Sequence, residues 1–178
     1  QLPPITGTRF RELIKAKGYS AAFADTGELP RALKLFDEAF EEIITTSTEL
    51  IYPGNAHWEV RDMKRFSNVL DECKSLTALT INDTKTISDE GFSNVVPSLH
   101  NTLETIDFSK SRFGEQSARA YALKNNGWKL SGIKSVLVHL NLGSTVIGDV
   151  GLKALLPTLP TTLSYLNLRK SGISDPVM

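Results

Sequence analysis

The sequence has one cysteine, Cys73, so no internal disulfide can staple its core. A reducing setting is the natural home for such a chain, and an intracellular location is expected, in the cytoplasm or the interior of an organelle. Neither charge is in excess, because twenty basic and twenty acidic side chains cancel. A global attraction to nucleic acid or to anionic lipid needs a basic surplus, so neither partner is expected. No apolar run is long enough for a membrane span, and no membrane insertion is expected. A P-loop, a dinucleotide glycine motif, a nucleophile elbow and zinc-type spacing are all missing. The three histidines, His57, His100 and His139, have no ligand spacing. The expectation is therefore a non-enzyme with no catalytic residue, cofactor or metal. The chain opens on Gln1 without a signal-like stretch. It is expected to have lost a leader or to be a piece of something longer.

What the sequence does have is a repeat. Hydrophobic residues make up 40% and charged residues 22%, the balance of a globular chain, and 178 residues suit one domain. Within it, Leu137, Leu140, Leu142, Thr145, Ile147 and Asp149 recur as Leu163, Leu166, Leu168, Ser171, Ile173 and Asp175. The shared pattern is L-x-x-L-x-L-x-x-[ST]-x-I-[GS]-D. Leu103, Ile106, Phe108, Ser111, Phe113 and Glu115 repeat it. So do Leu76, Leu79, Ile81, Thr84, Ile87 and Asp89, with one extra residue before Ile87. A degenerate copy precedes these, with Leu50, Tyr52 and Asn55 at strand and turn positions, Trp58 in place of Ile87, and Ser47 in place of the first leucine. Repeats thus start at 47, 76, 103, 137 and 163.

In these motifs the chain, from about Ser47 to Met178, resembles the leucine-rich-repeat family, especially its ribonuclease-inhibitor-like and cysteine-containing types. The resemblance implies an α/β fold, a short solenoid with a parallel concave sheet and convex helices. It also implies a protein-interaction role. The family's usual Asn or Cys at the ninth position is replaced by Thr84, Ser111, Thr145 and Ser171, which bond neighbouring backbone more weakly.

The residues themselves support such a unit. Two leucines spaced by two point to one face of a strand. Ser88-Asp89-Glu90 and Gly148-Asp149 open helices with a cap and an acid in the first turn. Phe92, Val95, Val96 and Leu99 have helical spacing, as do Leu152, Leu155, Leu156 and Leu159. Strands are expected near 49–53, 78–82, 105–109, 137–142 and 165–169. The third repeat is about seven residues longer. Its helix is expected from Phe113 to Lys124, ended by Asn125-Asn126-Gly127. The extra chain from Trp128 to Ile133 then reads either as a loop pinned by Trp128 on its own helix or as a protruding contact loop.

Residues 1–46 do not repeat and are expected to form a helical N-terminal cap for the solenoid at 47–178. Phe10, Leu13 and Ile14 suggest a short helix ending near Gly18. Leu29, Leu33, Phe36, Phe40, Ile43 and Ile44 mark a longer amphipathic one. At the other end, the chain stops just after a helix-start signal. That end is expected to be covered by a partner or by further chain.

The expected function is a non-catalytic protein–protein interaction module or scaffold. The alternative is a structural subunit built permanently into a large protein assembly. The partner is another protein or multiprotein complex. The open side of the sheet should carry one row of Glu49, Ala78, Thr105, His139 and Tyr165, and another of Ile51, Thr80, Asp107, Asn141 and Asn167. Past the strands come Asn82 and Asp83, Ser109 and Lys110, Gly143 and Ser144, then Arg169 and Lys170. Size and hydrogen-bonding capacity nominate His139, Asn141, Tyr165, Asn167, Arg169 and Lys170 as partner-binding residues.

Overall fold

In the computed structural model, residues 28–54 and 58–174 are described. The expected short helix around Phe10 to Gly18 and the turn residue Asn55 lie outside them. Five three-residue strands carry the repeat: β1 (Glu49–Ile51), β2 (Ala78–Thr80), β3 (Thr105–Asp107), β4 (His139–Asn141) and β5 (Tyr165–Asn167). They form one parallel sheet in chain order. The register equates residues that the sequence pattern also equates, such as Leu50, Leu79, Ile106, Leu140 and Leu166. A return between neighbouring parallel strands needs a crossover, and each of the four returns runs through a helix.

The helices are α1 (Glu28–Thr46), α2 (Val60–Leu70), α3 (Asp89–Val95), α4 (Glu115–Leu130) and α5 (Gly148–Leu155). From α2 onward each packs on the next. Between sheet and helices lies a continuous core. Leu79, Ile81, Ile106, Phe108, Leu140 and Leu142 are buried in it. At its start Tyr52, Trp58 and Phe66 interlock, with ring centroids 5.1–5.4 Å apart. In the middle Phe92, Phe108 and Phe113 do the same at 5.3–5.9 Å. Leu166, Leu168 and Ile173 of the last repeat are only partly buried. They have a packed neighbour on one side alone among the described residues.

The strands end in a turn that is the same in every repeat. Gly54, Asp83, Lys110, Ser144 and Lys170 occupy equivalent places, and all have φ between 52° and 63°. The first four send their N–H to the following repeat, to Asn82, Ser109, Gly143 and Arg169 carbonyls at 2.7–3.1 Å. The left-handed conformation, costly for a lysine by roughly 1–2 kcal/mol, thus extends the inter-repeat ladder beyond the strands.

Three expectations need correcting. The helix of the third repeat does not stop at Asn125-Asn126-Gly127 but continues to Leu130. Gly127 stays helical, and the left-handed stop falls at Gly132, with φ of 71°. There Ile133 N–H reaches Trp128 O at 2.8 Å and Gly132 N–H reaches Lys129 O at 3.2 Å, the paired bonds of a Schellman cap. The extra residues are therefore mainly additional helix, and neither kind of loop begins at Trp128. Trp128 does pack on its own helix, with Lys124 Nζ 5.2 Å from its ring centre. Second, Ile43 is 61% exposed; the end of α1 meets the core through Phe40 and Ile44 instead. Third, the ninth-position hydroxyls behave unequally. Ser111 donates to Phe108 O and Thr145 to Leu142 O within their own repeats, while Ser171 donates to Leu142 O of the preceding one. Thr84 is buried, and its hydroxyl has no partner among the described residues.

Asp89 has a role beyond its own helix. Its carboxylate accepts the N–H groups of Gly114, Gln116 and Ser117 at 2.8–3.0 Å, and the Ser117 hydroxyl. It therefore caps the N-terminus of α4 in the next repeat, satisfying donors that a helix start leaves free. Glycine at 114 leaves room for this contact, because a Cβ would stand 2.6 Å from the Asp89 carboxylate and displace it.

Candidate functional site

The sheet's side away from the helices displays the two expected rows in register. In the first row, the last two members form a pair. The rings of His139 and Tyr165 stack at 4.0 Å, tilted by 12°. Parallel strands lie about 4.8 Å apart, so in-register rings on neighbouring strands are held face to face by the backbone. Tyr165 remains 45% exposed.

The second row forms a directed hydrogen-bond ladder. Asn167 Nδ2 donates to Asn141 Oδ1 at 2.9 Å, and Asn141 Nδ2 donates to Asp107 Oδ2 at 3.0 Å. Each of these side chains also accepts a backbone N–H two residues on, from Ser109, Gly143 and Arg169 at 2.8–3.1 Å. An N–H needs an acceptor, so these contacts fix the amide orientations with oxygen toward the backbone. The bonds from each side chain to its own turn bend the chain out of the strand. The ladder thus ends on a carboxylate and leaves one N–H on each amide with no partner among the described residues.

Beyond the strand ends the turns enclose a depression of about 340 Å³, lined by Ser109, Lys110, Asn141, Gly143, Ser144, Asn167, Arg169 and Lys170. Among the described residues, no ion pair involves Lys110, Arg169 or Lys170. Gly143 gives this place its shape, since a Cβ there would stand 2.6 Å from Asn167 Nδ2. The six residues nominated from sequence fall into two adjoining groups. Asn141, Asn167, Arg169 and Lys170 line the depression, whereas His139 and Tyr165 form the stack beside it. Sequence reasoning put Lys110, Ser109, Gly143 and Ser144 on this side but did not select them. Their signal was the shared repeat position just before the hydroxyl, which only glycine at 54 marks as left-handed.

The remaining reactive side chains lie elsewhere. Cys73 is fully buried, its thiol donates to Val69 O at 3.2 Å, and burial pushes its pKa up to about 11. His100 donates from Nε2 to Leu70 O at 2.8 Å, and His57 lies outside the described residues. Among the described residues, no group of three or more His, Cys, Asp or Glu side chains is placed to hold a metal ion. No helix there is long and apolar enough to cross a membrane.

Residues 134–156, covering β4 and α5, match a family model described as Leucine Rich repeat. Among solved structures the chain is similar to one titled "Leiomodin-1 Actin-Binding Site 2 (ABS2)", at 19% sequence identity and a TM-score of 0.39. That match covers 74% of this chain and 60% of the other. No curated protein matches.

Proposed function

We propose that this leucine-rich-repeat solenoid is a non-catalytic module that binds another protein through the C-terminal half of its open sheet surface. One observation carries this reading. His139, Asn141, Tyr165, Asn167, Arg169 and Lys170 form one contiguous surface of an exposed aromatic stack, amide donors and cations that have no ion-pair partner among the described residues. Aromatic and arginine side chains are the usual anchors of protein interfaces. The solenoid is read as the ribonuclease-inhibitor-like type, because each return from one strand to the next runs through a helix. Residues 47–178 form it, and residues 1–46 are its N-terminal cap. The test is capture of proteins from the native source by the intact chain and by a His139→Ala, Tyr165→Ala variant with an unchanged melting profile. The reading expects the captured protein to be lost with the variant. Undiminished capture places the interface elsewhere.

A second reading, a permanent subunit of a large assembly, rests on the incomplete burial of Leu166, Leu168 and Ile173. Partly bared apolar groups beside a sheet edge favour association. Fractionation of the native source at moderate salt separates the two. Stable migration with a large complex supports the subunit, and a free monomer supports the transient binder.

A further inference from the structure

We infer that the depression at the ends of β3, β4 and β5 recognises carboxylates, and that its occupant is an acidic, extended segment of the protein partner. This rests on the interaction reading above and gives the partner a chemistry. The chain as a whole is neutral, so a local gathering of cations is not a by-product of general basicity. Lys110, Arg169 and Lys170 line the depression, and among the described residues no carboxylate side chain lines it. The nearest acid along the ladder, Asp107, already accepts bonds from Ser109 N–H and Asn141 Nδ2. The three cations have no ion-pair partner among the described residues. Grouped this way they repel one another until an anion arrives. The spare N–H groups of Asn141 and Asn167 add neutral donors on the same wall.

The layout favours several carboxylates over one small anion. Lys110 and Lys170 stand on turns two strands apart, so their backbones are separated by roughly 10 Å. An extended chain running across the strands turns every second side chain toward them, so acidic residues two apart arrive about 6.8 Å from one another. Arg169 offers the planar fork that grips a carboxylate with two bonds. Nucleic acid is less suited. A polyanion backbone needs a basic track, and in the preceding repeat the position equivalent to Lys110 is Asp83.

The test uses the whole chain and a fluorescein-labelled oligoglutamate peptide, read by anisotropy, with an oligoglutamine peptide and a single-stranded oligonucleotide as comparators. The oligoglutamate should bind, the oligoglutamine should not, and added salt should weaken the complex. Arg169→Glu with Lys170→Glu should lower affinity at least about tenfold, as should Lys110→Glu from a different repeat. Lys129→Glu with Lys153→Glu, an equal charge change on the helices, should leave it within about twofold. Melting curves show that each variant is folded. Absent oligoglutamate binding, or equal loss in the helix variant, overturns the carboxylate site. Tighter oligonucleotide binding lost with the same residues overturns it in favour of nucleic acid. If partner capture still depends on His139 and Tyr165 in those cases, the interaction reading stands without it.

Discussion

The first two repeats and the last three share one backbone but present different surfaces. From β1 to β5 the register is unbroken, and all five turns pass through the same left-handed position. Yet the open side of β1 and β2 offers Glu49, Ile51, Ala78 and Thr80, which no side-chain hydrogen bond joins among the described residues. From β3 onward the equivalent places hold the Asp107–Asn141–Asn167 ladder, the His139–Tyr165 stack and the basic depression. In a solenoid the inward residues of each unit determine stacking, and the outward ones are left to vary. The comparison teaches that fold and surface chemistry are specified by separate sets of positions.

Substitutions can break or sharpen that separation. The largest effect is expected in the core. Leu140→Ala should cost roughly 2–5 kcal/mol in denaturant unfolding, the range for a fully buried leucine. Leu166→Ala, one repeat on and only partly buried, should cost no more than about half as much, because less apolar area is lost. Equal losses would show that the last repeat is as closed as the middle ones. Next comes Asp89→Ala, which strands three N–H groups at the start of α4, while the Ser117 hydroxyl keeps its bond to the Asp89 backbone carbonyl. A loss of about 2–3 kcal/mol is expected by the same measurement. A loss below about 0.5 kcal/mol would mean that water replaces the cap without cost.

Thr84→Val removes a buried hydroxyl that has no partner among the described residues, and should be neutral or slightly stabilising, within about 0.5 kcal/mol. Ser111→Val, its counterpart with bonds to Phe108 and Phe113 backbone, should be destabilising in the same assay. The smallest effect concerns Asp149, whose carboxyl is held below the usual carboxylate range by its hydrogen bonds with Ser174. A group with a lowered folded pKa adds stability above its unfolded value and loses it as pH falls through the folded one. Asp149→Asn should therefore reduce the acid dependence of melting slightly. An identical pH profile would show that the bond has no thermodynamic weight.

The fold was legible because burial repeats. Leu79, Ile106 and Leu140 recur at fixed offsets, and periodicity of that kind determines strand position and register together. The turn was less so. Its left-handed residue is glycine once and Asp, Lys, Ser and Lys otherwise, so no residue type announces it. The end of α4 was misplaced because Asn125-Asn126-Gly127 looks like a stop, whereas Asn125 is buried and bonds Thr158 O at 3.3 Å. Tertiary contact outweighs the local breaker signal there. For the site, the sequence placed the rows but not their interactions. That Asn141 and Asn167 bond each other, and that Lys110 shares a depression with Arg169, depends on three repeats being stacked in space.

The central claim is that a protein partner lies on the C-terminal half of the open sheet surface. Site-specific photo-crosslinking in native material tests it most directly, with the reactive side chain placed at Tyr165, at Ala78 or at Lys153 in separate proteins. The account predicts a specific protein adduct from position 165, and none from position 78 on the early repeats or position 153 on α5. Adducts from position 153 or 78, with none from 165, would contradict it.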